Sequence, residues 1–88
     1  MIREIKDTVP YMVSGDRKQQ LVAELAQVKL RRRELSRMLK SYYAGELDAL
    51  PYPADWLENQ VTHMYGYERM LSLRVKYDGV NIDKLMEG

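Results

Sequence analysis

Residues 21–42 read LVAELAQVKLRRRELSRMLKSY. Within this stretch Leu21, Leu25, Val28, Arg32, Leu35, Leu39 and Tyr42 recur at alternating steps of four and three. That spacing gathers them on one face of an α-helix as a heptad seam, interrupted chemically by Arg32 alone. Residues 57–78, LENQVTHMYGYERMLSLRVKYD, repeat the pattern with Leu57, Val61, Met64, Glu68, Leu71, Val75 and Asp78, and here the charge in the middle is Glu68. Two helices with matching seams and opposite central charges predict an antiparallel pair.

Punctuation bounds both helices. The Ser14-Gly15-Asp16 cluster offers side-chain acceptors for the orphan N–H groups of a first helix, and Gly45 suits the left-handed residue beyond its end. A helix over about 16–44 is expected, about 42 Å long at about 1.5 Å per residue. Pro53 fits the opening turn of a second helix over about 53–78, with Asp55 and Glu58 near its positive end and Gly79 beyond its last turn. The connector from Gly45 to Tyr52 is short, so the second helix must return along the first. With Tyr42 opposite Leu57, the register sets Leu39 by Val61, Leu35 by Met64, Arg32 by Glu68, Val28 by Leu71, Leu25 by Val75 and Leu21 by Asp78. An Arg32–Glu68 ion pair is therefore expected as a register device, with desolvation offsetting part of its attraction.

The expected fold is all-α: a long antiparallel two-helix hairpin with a short N-terminal segment, forming one domain over residues 1–88. A hairpin covers only one stripe of each helix, whereas Val22, Leu30, Met38, Trp56, Tyr65, Tyr67, Met70, Leu73 and Tyr77 fall outside the seam. Ile2, Ile5 and Val9, at helical spacing before Pro10, and Val80, Ile82, Leu85 and Met86 at the other end can supply part of the cover. Self-association into an oligomeric bundle is expected to supply the rest.

Composition narrows the functional classes. Fourteen Lys and Arg against thirteen Asp and Glu leave a formal charge of +1, too little to drive the whole chain onto a polyanion. Duplex DNA binding is disfavoured further, since no helix-turn-helix spacing occurs. The absence of Cys removes disulfides, thiolate chemistry and Cys-ligated zinc, and suits a cytoplasmic protein. No window approaches the about 18 consecutive apolar residues of a membrane span, and Arg3, Glu4, Lys6 and Asp7 stand where a signal peptide would be apolar. No membrane partner, metal or cofactor is expected. His63 is the single histidine and lacks a partner motif, while Glu58 and Glu68 stand too far apart on a helix to work as a carboxylate pair. A non-enzyme is expected.

The most informative local feature is basic. Lys29, Arg31, Arg32, Arg33, Arg37 and Lys40 crowd one stretch, offset within it by Glu34 alone. Lys29, Arg33 and Arg37 stand one turn apart in a row, so neighbours repel rather than pair. Either the row is a solvated face or something outside the helix neutralises it, and the guanidinium fork suits phosphate oxygens. Seven Tyr and no Phe supply stacking faces with hydroxyls attached. Tyr11, just before the first helix and near Arg17 and Lys18, could stack on a base whose phosphates those side chains hold; equally, it could staple the N-terminal segment to the helix.

The run Tyr11-Met12-Val13-Ser14 leading into Arg17 to Leu39, then Tyr43-Ala44-Gly45-Glu46-Leu47-Asp48, a Pro-initiated second helix and Leu73-Arg74-Val75 resembles a family of small phage and prophage proteins related to an orphan protein of crAss-like phages. The resemblance spans Tyr11 to Ile82 and implies a phage gene product acting inside a bacterial host cell. Thr62-His63, the glycine that follows, and Leu71-Ser72-Leu73-Arg74-Val75 resemble the second helix of the helical-hairpin sponges by which phages sequester the cyclic nucleotide signals of bacterial immunity. That likeness implies a homo-oligomer binding a cyclic nucleotide between subunits, with Tyr11 stacking on a base and Lys29 and Arg74 contacting phosphate. With the basic residues read above, the expected ligand-binding set is Tyr11, Arg17, Lys18, Lys29, Arg33 and Arg74. The competing expectations are an adaptor or inhibitor that docks a host or phage protein, a host defence protein among them, through its Tyr, Met and Trp stripe, and a small nucleic-acid binder.

Overall fold

The computed structural model describes residues 1–87. A 3-10 turn, Ile5–Thr8, runs into a short α1 (Val9–Met12). Then come the two long helices, α2 (Arg17–Tyr43) and α3 (Ala54–Tyr77), and a terminal α4 (Ile82–Glu87). No strand occurs among the described residues. α2 and α3 pack antiparallel as a hairpin, and the molecule is elongated, 43 × 22 × 20 Å.

Local chemistry sets the helix ends. Asp16 is in extended conformation and accepts the Lys18 N–H at 2.9 Å, capping α2, while Ser14 accepts the Asp16 N–H and donates to the Tyr11 carbonyl, both at 3.1 Å. At the other end the N–H of Glu46 reaches the Ser41 carbonyl at 2.9 Å and that of Gly45 reaches Tyr42 at 3.1 Å, with Gly45 at φ 79°. This is a Schellman closure, and α3 ends the same way through Val80 to Val75 and Gly79 to Lys76 at 3.2 and 3.0 Å. Pro53 stands just outside α3, at its N-cap, its carbonyl accepting from Trp56 and Leu57.

Every seam residue of both helices is buried or half-buried, and the charges at the centre of the two seams meet. Burial is uneven along the hairpin. At the open end Ile2, Leu21, Val22, Leu25, Ala26, Leu71 and Val75 form the core cluster, with Tyr11, Val28, Leu30, Val80, Ile82, Leu85 and Met86 packed around it. The N-terminal segment and α4 converge there, and the Ile2 N–H donates to the Leu85 carbonyl at 2.6 Å. Towards the connector, where only two helices meet, Leu39 and Leu57 are still buried, while Leu35, Met38, Val61 and Met64 are half-buried.

The N-terminal cover differs in detail from the expected Ile2, Ile5 and Val9 stripe. Ile2 is fully enclosed, but Ile5 and Val9 remain 38% and 49% exposed. Thr8 turns inward instead, because the 3-10 turn shifts the phase of the segment. Its hydroxyl donates to the Ile5 carbonyl at 2.6 Å and accepts from the Gln27 amide at 2.9 Å, so the buried polar atom is satisfied.

Candidate functional site

The middle of the hairpin holds a three-residue ionic cluster. The Arg32 guanidinium grips both carboxylate oxygens of Glu68, one of them at 3.2 Å, and the Lys29 ammonium donates to Glu68 at 2.9 Å. Only 7% of the Glu68 side chain is exposed, against 14% for Lys29 and 11% for Arg32. Burial works to raise the Glu68 pKa, but the hydrogen bonds from Arg32 and Lys29 win and hold it below its ordinary value. The Arg32 guanidinium also lies 4.1 Å from the centre of the Tyr65 ring, a cation–π contact. Lys29 stands three residues before Arg32 and so shares its face. Its role as second partner to Glu68 was readable from that spacing once the register was set.

This cluster decides where the basic row is free. Lys29, expected on a phosphate, gives its charge to Glu68. It also borders a cleft lined by Ser72, Lys76 and the turn after α3. Arg33 is exposed beside Arg37 on a surface shared with Arg3, Glu4 and Glu34, so acids of the same chain border that part of the row. Tyr11 is half-buried, packs against the core cluster, and lines a separate hollow with Lys6, Asp7 and Gln19. In one protomer these three residues stand in three different places.

Arg17, Lys18 and Arg74 do come together. Arg17 and Lys18 open α2, and the antiparallel return of α3 brings Arg74 alongside them. The three cations border an open cavity of about 590 Å³ whose other walls are Met70, Leu73, Tyr77 and Asp78. One acid faces three bases, and the floor is apolar and aromatic. Met70, Leu73 and Tyr77 are 57%, 56% and 93% exposed, so each is available to a ligand. A planar, negatively charged guest suits such a surface, with guanidinium and ammonium groups on its anionic edge and the ring against its flat face. Tyr77 was absent from the expected set. Its signal was its place one turn beyond Arg74 on the same face.

Two further hydrogen bonds tie the helices, from the Tyr67 hydroxyl to Glu24 and from the Tyr43 hydroxyl to Glu58. Each carboxylate partner raises the phenol's pKa. Among the described residues no group of three or more His, Asp or Glu is placed to hold a metal ion, and no helix is long and apolar enough to cross a membrane.

The sequence model of a family described as Sequestin matches residues 15–77, which takes in all of α2 and α3 together with Arg17, Lys18, Lys29, Arg33 and Arg74, and excludes Tyr11. No curated protein and no solved structure matches the chain. The chain belongs to the Sequestin family.

Proposed function

We propose, from membership of the Sequestin family, that this protein is a phage anti-defence factor that sequesters a cyclic oligonucleotide immune signal in the cytoplasm of its bacterial host. The family's name describes sequestering, and stoichiometric holding needs no catalytic group. The observation that carries the ligand class is the cavity where Arg17, Lys18 and Arg74 meet above Met70, Leu73 and Tyr77. Phosphates of a cyclic oligonucleotide pair with the three cations, and a base stacks on Tyr77. Tyr11, Lys29 and Arg33 belong to this reading only as contacts that a neighbouring subunit's site would recruit.

Thermal unfolding with and without a panel of cyclic di- and trinucleotides and cyclic ADP-ribose isomers tests it. A guest present at about 100 times its Kd stabilises the folded state by about 2.7 kcal/mol, on the order of 10 °C in a domain of this size. One ligand raising the midpoint for wild type but not for Arg74→Glu is the expected result. A flat response from folded wild type across the panel overturns the reading.

Tyr43, Tyr52 and Trp56, 60%, 60% and 62% exposed near the connector, favour the second reading, a docking surface for a host or phage protein. In that case Arg74→Glu leaves partner binding intact, whereas Trp56→Ala removes it.

A further inference from the structure

The cavity bordered by Arg17, Lys18 and Arg74 also has Asp78 on its wall, the one acid there. Among the described residues the ion pairs of the chain join Lys6 to Glu4, and Lys29 and Arg32 to Glu68. The three cations and the carboxylate of the cavity thus have no charged partner within the chain, although they border the same space.

Their placement works against the helices that carry them. Arg17 and Lys18 are the first two residues of α2, where the helix dipole presents positive charge, and no acid stands in that first turn. Asp78 is the C-cap of α3, where unpaired carbonyls present negative charge. Helix stability favours acids at the first place and a base or a neutral residue at the second. Charges set against both dipoles at one cavity point to a guest that brings acceptors for the cations and donors for the carboxylate.

A bare polyphosphate meets half of that requirement: it satisfies the cations, but Asp78 repels it and receives no hydrogen bond from it. A nucleotide meets all of it. Its phosphates take Arg17, Lys18 and Arg74, and its base takes the ring of Tyr77, the residue directly before Asp78 in the chain. Between phosphate and base lies the sugar, and the donors of a ribose are its hydroxyls. An ionised carboxylate is an acceptor only, with two oxygens to receive them.

We infer that Asp78 accepts hydrogen bonds from the hydroxyls of a ribose, and so selects ribonucleotides over deoxyribonucleotides and over bare polyphosphate. The assignment rests on the sequestration reading and adds to it the group that sorts one anion from another. The carboxylate weakens the attraction of the cavity for phosphate in general and restores it for a guest that carries the sugar.

Calorimetric titration with ADP, 2′-deoxy-ADP and inorganic tripolyphosphate tests it, the two nucleotides differing by one hydroxyl. Wild type is expected to bind ADP at least about tenfold more tightly than 2′-deoxy-ADP, as befits a hydrogen bond to a charged group. In Asp78→Ala that preference is expected to fall to about twofold or less, while tripolyphosphate binds more tightly than it does to wild type. The substitution takes an acid away from a helix C-terminus, so the fold is retained, as thermal unfolding checks. Equal affinity of wild type for the two nucleotides overturns the inference. A preference that survives in Asp78→Ala, with both nucleotides tightening together, also overturns it and leaves the carboxylate a purely repulsive role. Binding of neither nucleotide to folded wild type overturns it as well. Sequestration itself stands or falls on the cyclic nucleotide panel, so a protein that holds one of those ligands and ignores the ribose hydroxyl removes this inference alone.

Discussion

Arg32 and Glu68 interrupt two otherwise apolar seams at one level of the hairpin, and Lys29 joins them, so one nearly enclosed carboxylate faces two cations. Removing the acid alone leaves both positive charges facing an apolar interface. Glu68→Leu is therefore expected to destabilise the protein by about 3 kcal/mol, read by chemical denaturation. Arg32→Leu combined with Glu68→Leu is expected to recover part of that loss, since the remaining Lys29 can turn its ammonium to solvent. Equal stability of Glu68→Leu and wild type contradicts the ionic cluster. The same group sets a pH dependence. Glu68 is held below its ordinary value of 4.5, so its contribution is fully present above that value and fades as the pH falls through the folded-state pKa. The stability gap between wild type and Glu68→Gln is expected to narrow from about pH 6 to about pH 3, and a gap constant over that range contradicts the assignment.

The long helices were legible because their period, caps and glycines agree: the seam residues of 21–42 and 57–78 all turned inward, and Gly45 and Gly79 close their helices in the left-handed region. The short elements were not, because a terminal segment has too few residues to show a period. Ile2 could be named as cover, but its near-complete burial and its hydrogen bond to Leu85 depend on α4 arriving from the far end of the chain. Thr8 was missed for the same reason, since a 3-10 turn breaks the spacing from which Ile5 and Val9 were read. Two expectations follow for these elements. Ile2→Ala, which empties a fully enclosed site, is expected to cost about 2–4 kcal/mol and to release the N-terminal segment to proteolysis. An unchanged midpoint contradicts the docking of this segment. Gly79→Ala forces a side chain to adopt φ near 82° and is expected to cost about 1 kcal/mol in thermal denaturation, although no neighbour obstructs it.

For the molecule as a whole, charge was legible as a list and illegible as a surface. The basic row drew notice by density, yet its Lys29 is spent on Glu68 and its Arg33 lies beside acids of its own chain. The cations that converge, Arg17, Lys18 and Arg74, lie 57 residues apart at the extremes and meet only because the hairpin returns on itself. Tyr77 joins them by the same route. The central claim is that this Sequestin-family chain holds a cyclic oligonucleotide without altering it. The most direct measurement mixes the protein with each candidate ligand, separates the free pool by filtration, heats the retained fraction to unfold the protein, and quantifies the released molecule by chromatography. The account predicts that one ligand leaves the free pool in fixed proportion to protein and returns chemically intact on heating. A ligand that stays in the filtrate, or that returns cleaved, contradicts it.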